Sequence, residues 1–431
     1  MDKKLKIISI IVGVLIAIVI SGALIFSPEN TRQKEEQGLI TDDVDISVDS
    51  KPQYKVFFEN TGSMNGYVRG NTRVKDVLHD LLANIQTHSL SDNEINLNFV
   101  NSVVIPTQTG ISGFRDALDP AVFSELCSQY PGCSLGDTYF PDIYKTTLNS
   151  ISENDVGIWI SDCIPSTGDE VSTREVLNRQ SIEIRRIFSE KLMEYNFNTL
   201  VLHLSSNYNG QYWDKYENTT YINNVDRPYY IWVFGKTAYL EELKEVIEQT
   251  GLLQQGLLNY HHFFFYDSGP LEYSIRPNPK IGNFSLVPGN PYKIDNARAE
   301  TSGHLSGVFQ FPVYIDFSEL PLDESYYTNP ANYELCSHYT MEIESTDRDG
   351  YTHLMRLRTE NLQSETLEIR LKNQLPKWVY YQHLYDDSDI LSEEQIDKTF
   401  GFKYLLRGVH DAYMARQGYE EYYFNLKLYI N

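Results

Sequence analysis

Three short polar stretches, far apart in the chain, carry the residues best suited to chemistry. Glu59-Asn60-Thr61-Gly62-Ser63-Met64 follows the apolar run 54–58, Thr138 stands within Gly136-Asp137-Thr138, and Ser161-Asp162 closes the apolar run 156–160. Glu59, Thr61, Ser63, Thr138 and Asp162 offer only hydroxyl and carboxylate oxygens. Hard cations such as Mg²⁺ prefer oxygen ligands in octahedral array and keep some water. Two of the stretches sit where a strand should end, and the carboxyl ends of parallel strands line a common crevice. Their convergence predicts one divalent-metal site, which binds a partner without any need for catalysis. Taken singly, each residue has a plainer use. Thr61 and Ser63 can hold the turn at Gly62 or cap a helix, Thr138 can be an ordinary N-cap, and Glu59 and Asp162 can pair with a basic side chain or face solvent.

The elements that must position these residues are legible as periodicity. From 54 to 251, apolar strands alternate with amphipathic helices, the pattern of a parallel α/β sheet. Val74, Val77, Leu78, Leu81, Leu82 and Ile85 mark one buried helix face, which Asn71 or Thr72 can cap. Residues 95–100 and 102–105 are close enough to pair as a hairpin. Ile143, Tyr144, Thr147, Leu148 and Ile151 form a second helical stripe, 156–160 a buried strand, 176–195 a long helix, and 239–250 a closing helix. Between strands at 200–204 and 229–234, the aromatic, Asn-rich segment 205–227 reads as an excursion at the sheet edge. Beyond 251 the grammar changes. Phe309, Phe311, Val313, Ile315 and Phe317 alternate strictly, as do Phe424, Leu426, Leu428 and Ile430, which argues a β-sandwich. The tract 386–394 reads as an acidic loop within it.

The order of these motifs resembles a von Willebrand factor A (vWA) domain. That family's metal-ion-dependent adhesion site uses an Asp-x-Ser-x-Ser loop, a separate threonine and a separate aspartate. Here the loop stands as Glu59-x-Thr61-x-Ser63, the threonine falls on Thr138, and the aspartate falls on Asp162. The stretch Asn98-Phe99-Val100-Asn101-Ser102-Val103 is similar to the family's second and third strands. The departures are Glu59 for the first aspartate, Thr61 for serine, and Ser161-Asp162-Cys163 where Thr-Asp-Gly is common. The resemblance implies a Rossmann-like, mostly parallel sheet with flanking helices. It also implies a divalent cation, Mg²⁺ or similar, held by Thr61, Ser63 and Thr138 with Glu59 and Asp162 direct or through water. A protein partner would complete the coordination with an acidic group.

The whole chain is then expected to be α/β. It would comprise a signal anchor or transmembrane helix (1–26), an acidic linker (27–53), the vWA-like domain (54–251), a connecting segment (252–300) and a β-sandwich domain (301–431). The span 7–26 is uncharged, mostly apolar and long enough for a hydrocarbon core of about 30 Å. Lys3, Lys4 and Lys6 precede it, so the amino terminus is expected in the cytoplasm and the bulk outside. A cleaved signal peptide shares this design, but the length of the run and the lack of a following Ala-x-Ala favour an uncleaved anchor.

With a formal net charge of −23 the chain has no nucleic-acid footprint, and aromatics at 13% exclude a disordered chain. Its four cysteines, without a Cys-x-x-Cys pair, imply neither a disulfide scaffold nor a zinc site, although Cys127 and Cys133 could form a local bridge in an oxidising compartment. His261 and His262 would point to opposite faces of a strand and read as structural, and Trp378 with Tyr380–Tyr385 reads as packing before a binding patch. The expected function is a non-enzymatic, membrane-anchored, extracytoplasmic binding protein. A metal-free subunit of an envelope complex comes next. A metal-dependent hydrolase is less favoured, because no general-base histidine accompanies the motifs.

Overall fold

The computed structural model describes residues 51–431 other than 89, 92–94, 137, 169–171, 252–254, 266–270 and 336. The expected span 7–26 lies outside the described residues. Among those described, no helix is long and apolar enough to cross a membrane, so the transmembrane helix of the expected fold has no structural support.

The first body is a seven-stranded sheet of β1 (Gln53–Glu59), β2 (Asn96–Val100), β3 (Val104–Pro106), β4 (Asp155–Ser161), β5 (Asn198–Trp213), β6 (Thr219–Gly235) and β7 (Leu257–Phe263), ordered β3-β2-β1-β4-β6-β5-β7. β1 runs parallel to β2 and β4, with Glu59 beside Val100 and Phe58 beside Ile160. The pairs β4–β6, β6–β5 and β5–β7 are antiparallel, as is β2–β3. The sheet is therefore mixed, and the expectation of a mostly parallel one is overturned. The cause lies in 205–227, which is no edge excursion. It extends the strands on either side into one long hairpin, from Asn198↔Gly235 to Trp213↔Thr219. So short a turn can join only antiparallel strands, since parallel neighbours need a crossover of about a dozen residues or more.

Helices α1 (Asn65–Val68), α2 (Arg73–Thr87), α3 (Ile111–Ala117), α4 (Pro120–Gln129), α5 (Phe140–Asn149), α6 (Thr173–Glu194) and α7 (Thr237–Gln249) accompany this sheet. Alternation along β1 sends Phe58 into one apolar layer, with the buried stripe of α2, and Phe57 into the other, with Trp159, Trp232 and α6. Thr72 occupies the cap position of α2, but among the described residues its hydroxyl makes no hydrogen bond. The α2 amides are met instead from β5, where Asn207 Oδ1 accepts from Arg73 N (3.0 Å) and Ser206 Oγ from Val74 N (3.1 Å). Capping from a distant strand locks the helix to the sheet.

The second body begins earlier than the sequence suggests. Its strands are β8 (Tyr273–Ile275), β9 (Asn283–Val287), β10 (Asn290–Arg298), β11 (Phe309–Ile315), β12 (Tyr333–Leu335), β13 (Thr340–Ser345), β14 (His353–Thr359) and β15 (Glu365–Lys372), with the short helix α8 (Glu324–Tyr327) after β11. The chain then leaves through α9 (Lys377–Tyr381), the ribbon strands β16 (His383–Leu384) and β17 (Thr399–Phe400), and α10 (Phe402–Arg416), and returns as β18 (Tyr422–Ile430). Sheets β12-β15-β18-β10-β9 and β13-β14-β11-β8 share one apolar core.

Residues 301–431 are thus not one self-contained β-sandwich. Leu375, Val379, Phe402, Leu405 and Val409 belong to the Trp159 layer of the first sheet. Gly408 lets α10 lie close against α6, since a Cβ there would meet Ser181 O at 2.5 Å. The segment 252–300, read as a connection, supplies β7 to the first body and β8–β10 to the second.

Candidate functional site

Glu59 and Ser161 end adjacent parallel strands, and this register brings the first and third polar stretches together. Glu59, Asn60, Thr61, Ser161 and Asp162 are all buried there, and Thr138 is buried nearby. Thr61 turns its hydroxyl back onto the acid, donating to Glu59 Oε1 at 2.7 Å, and lies 3.2 Å from Ser63 Oγ. Gly62 N donates to Leu135 O at 2.8 Å, which binds the loop to the segment leading to Thr138. Thr138 is tied on its other side to the loop after β4. Its amide donates to Ser166 Oγ (2.9 Å), and its carbonyl accepts from Ser166 N (3.0 Å).

The plainer uses of these residues are mostly not taken. Tyr139, not Thr138, occupies the cap position of α5. Thr61 precedes a single helical turn without capping it. A cleft of about 380 Å³ opens over the loop, with Ser63, Thr138, Ser166, Trp213, Lys215 and Asp387 among its lining.

Glu59 Oε2 and Asp162 Oδ2 are buried acceptors with no hydrogen-bond partner among the described residues. Such orphans are costly, because a buried carboxylate oxygen has lost its water without replacement. Burial, then the nearby Asp162 charge, pushes the Glu59 carboxyl up to about 8, against the neighbouring Ser161 and Thr61 hydroxyls. Burial likewise pushes Asp162 up to about 6. It is opposed by the Ser63 hydroxyl, by Ile164 N donating to Asp162 Oδ1 at 3.2 Å, and by the Arg227 guanidinium.

No family model, curated protein or solved structure matches this chain.

The site also includes residues that lie outside the sequence motifs. Arg227 is fully buried, with its guanidinium 4.6 Å from the Tyr212 ring centroid and Nη1 donating to Ile396 O at 3.0 Å. Asp387, from the tract read as a sandwich loop, is buried at the first sheet, accepting from Tyr212 Oη (2.6 Å) and Lys215 N (2.9 Å). One signal for Arg227 was available, since it abuts the apolar run 229–234. Nothing comparable marked Asp387 among the other acids of 386–394. Gly66 explains the close seating of α1: a Cβ there would lie 2.2 Å from the Tyr208 ring.

The donor set fits a hard cation. Two carboxylates with unused oxygens stand with the hydroxyls of Thr61 and Ser63, Thr138 lines the same cleft as Ser63, and no softer ligand is among them. Among the described residues no three or more His, Cys, Asp or Glu side chains form a group that could hold a metal ion by themselves, so hydroxyls, water or a partner would have to complete the shell.

Proposed function

We propose that this chain is an extracytoplasmic binding protein, whose vWA-like site takes a divalent cation and through it a protein partner offering an acidic group. The observation that carries the reading is the pair of partnerless buried oxygens, Glu59 Oε2 and Asp162 Oδ2, under a loop whose Gly62 and Ser63 line the cleft together with Thr138. A cation supplies the positive charge that such oxygens lack, and an open cleft leaves room for a ligand from outside. Thr61, Ser63 and Thr138 would hold the ion with their hydroxyls, and Glu59 and Asp162 would balance its charge. The bridge between Cys127 and Cys133 supports placement in an oxidising compartment.

A metal-free packing module is the second reading, and one observation favours it. Arg227 already brings a buried positive charge to Asp162, and a proton held by Glu59 neutralises the rest. Isothermal titration with Mg²⁺ and Mn²⁺ separates the two. Saturable binding below millimolar concentration, with proton release on binding, is the expected result. No heat of binding at millimolar cation would leave the packing module in its place.

A further inference from the structure

The site loop is also held from a side that the metal reading does not use. Cys127, in α4, and Cys133 form a disulfide. From Cys133 two routes lead to the Glu59–Ser63 loop. In the first, Asn101 Nδ2 donates to Cys133 Sγ and to Asn60 Oδ1, each at 2.9 Å, so a buried side chain links the bridge to the residue after Glu59. In the second, the chain runs two residues on to Leu135, whose carbonyl accepts from Gly62 N at 2.8 Å. Gly62 is confined there, because a Cβ would meet that same carbonyl at 3.2 Å. Asn60 and Asn101 are both buried, so neither contact is a surface accident. Both cysteines are only half-buried, within reach of a reagent from solvent.

We infer that the Cys127–Cys133 bridge, acting through Asn101 and Leu135, positions the Glu59–Ser63 loop and makes this site sensitive to thiol reductants. The chemistry is thiol–disulfide exchange with a dithiol. One thiolate of the reagent attacks a cysteine sulfur and breaks the S–S bond, and the second resolves the mixed disulfide. Two cysteine thiols are formed, and the reagent leaves as its own disulfide. Once the closure is cut, residues 133–135 regain freedom, and the hydrogen bonds to Asn101 and Gly62 no longer have a fixed origin. Cys133 only packs against the apolar layer of Phe58 and the α2 stripe, whose fully buried members keep the fold. Loss of such outer support lowers metal affinity by about 10- to 100-fold where it has been measured at other sites.

The test compares the oxidised full chain, the chain reduced by dithiothreitol with thiols counted by mass, and the reoxidised chain. Hydrogen exchange is followed at peptides spanning 59–68. Reduction is expected to unprotect the Gly62 amide and its neighbours, leave the β11 and β14 peptides unchanged, and be reversed on reoxidation. Complete reduction with no change at 59–68 overturns the inference. So does a rise spread equally through both bodies, which would make the bridge a support of the whole fold. The effect on cation affinity rests on the reading above, and Mn²⁺ titration of the same samples is expected to weaken by about tenfold on reduction. Should the oxidised protein take no Mn²⁺, that reading fails, while the exchange data still decide the positioning role.

Discussion

Where β1 and β4 end, the first sheet buries Glu59, Asn60, Thr61, Ser161 and Asp162 side by side, whereas the second body buries Phe309, Phe311, Val313, Leu367, Leu426 and Leu428. Each region is hidden from water, yet they are made of opposite materials. In the second body the strands pair along β11–β14 and β15–β18 without leaving their apolar faces open. At the first sheet's end, hydroxyls and acids fill positions that apolar side chains would stabilise better, and two carboxylate oxygens go without donors. On the proposed reading, the difference separates holding a fold from holding a ligand. Apolar burial rewards the chain as soon as it folds, while buried acids reward it only when something else arrives.

The largest expected effect strikes the apolar region. Phe311→Ala should lower stability by about 3–5 kcal/mol, the usual cost of emptying a core aromatic, and leave cation affinity unchanged. Denaturant melts and Mn²⁺ titration of the variant check both halves. A fall in affinity larger than the residual unfolding explains would show that the two regions are not independent.

Asp162→Ala should do the reverse in function and less in stability. Cation binding is expected to disappear. Stability should also fall, by about 1–3 kcal/mol, because Arg227 loses a carboxylate that balances its buried charge. This expectation depends on Arg227, since a carboxylate at an otherwise empty site would be missed little. An unchanged melting temperature would mean that the backbone carbonyl of Ile396 and the tyrosine rings compensate the guanidinium by themselves.

A third expectation is a pH slope. Glu59 is raised from 4.5 to about 8 in the folded state. Its contribution to stability is therefore fully present below about 4.5 and is lost as pH rises through about 8. Chelator-treated protein should become easier to unfold across that window, and Glu59→Gln should flatten the decline. Unfolding midpoints taken from pH 5 to 9 give the slope directly, and an equal decline in the variant would assign it to other groups.

Much of this molecule could be read before its structure. The stripe of α2 and the alternating burial of β18 follow from a period that only one kind of element produces, while the hairpin β2–β3, the wholly buried β4 and β11 follow from short apolar runs. Glu59 and Asp162 were marked too, because they stand at the ends of apolar runs, and the register of β1 and β4 brings those ends together. What misled was 205–227. Polar, aromatic and Asn-rich, it gave little hint that Tyr208, Tyr212 and Ile222 would alternate inward along two long paired strands. Once those strands formed a hairpin, half of the sheet became antiparallel.

By itself the sequence determined which residues are apolar, at what period, and where hydroxyls and carboxylates interrupt them. These are local properties, fixed by side-chain chemistry and by backbone repeats of 3.6 and 2. Only the tertiary structure decided what those residues would meet. It set Arg227 behind Asp162, laid Asp387 on the first sheet, brought α10 back across α6, and joined the Cys127–Cys133 bridge to Asn60 through Asn101. Each of these contacts spans tens to hundreds of residues, and no local period carries information about a partner so far along the chain.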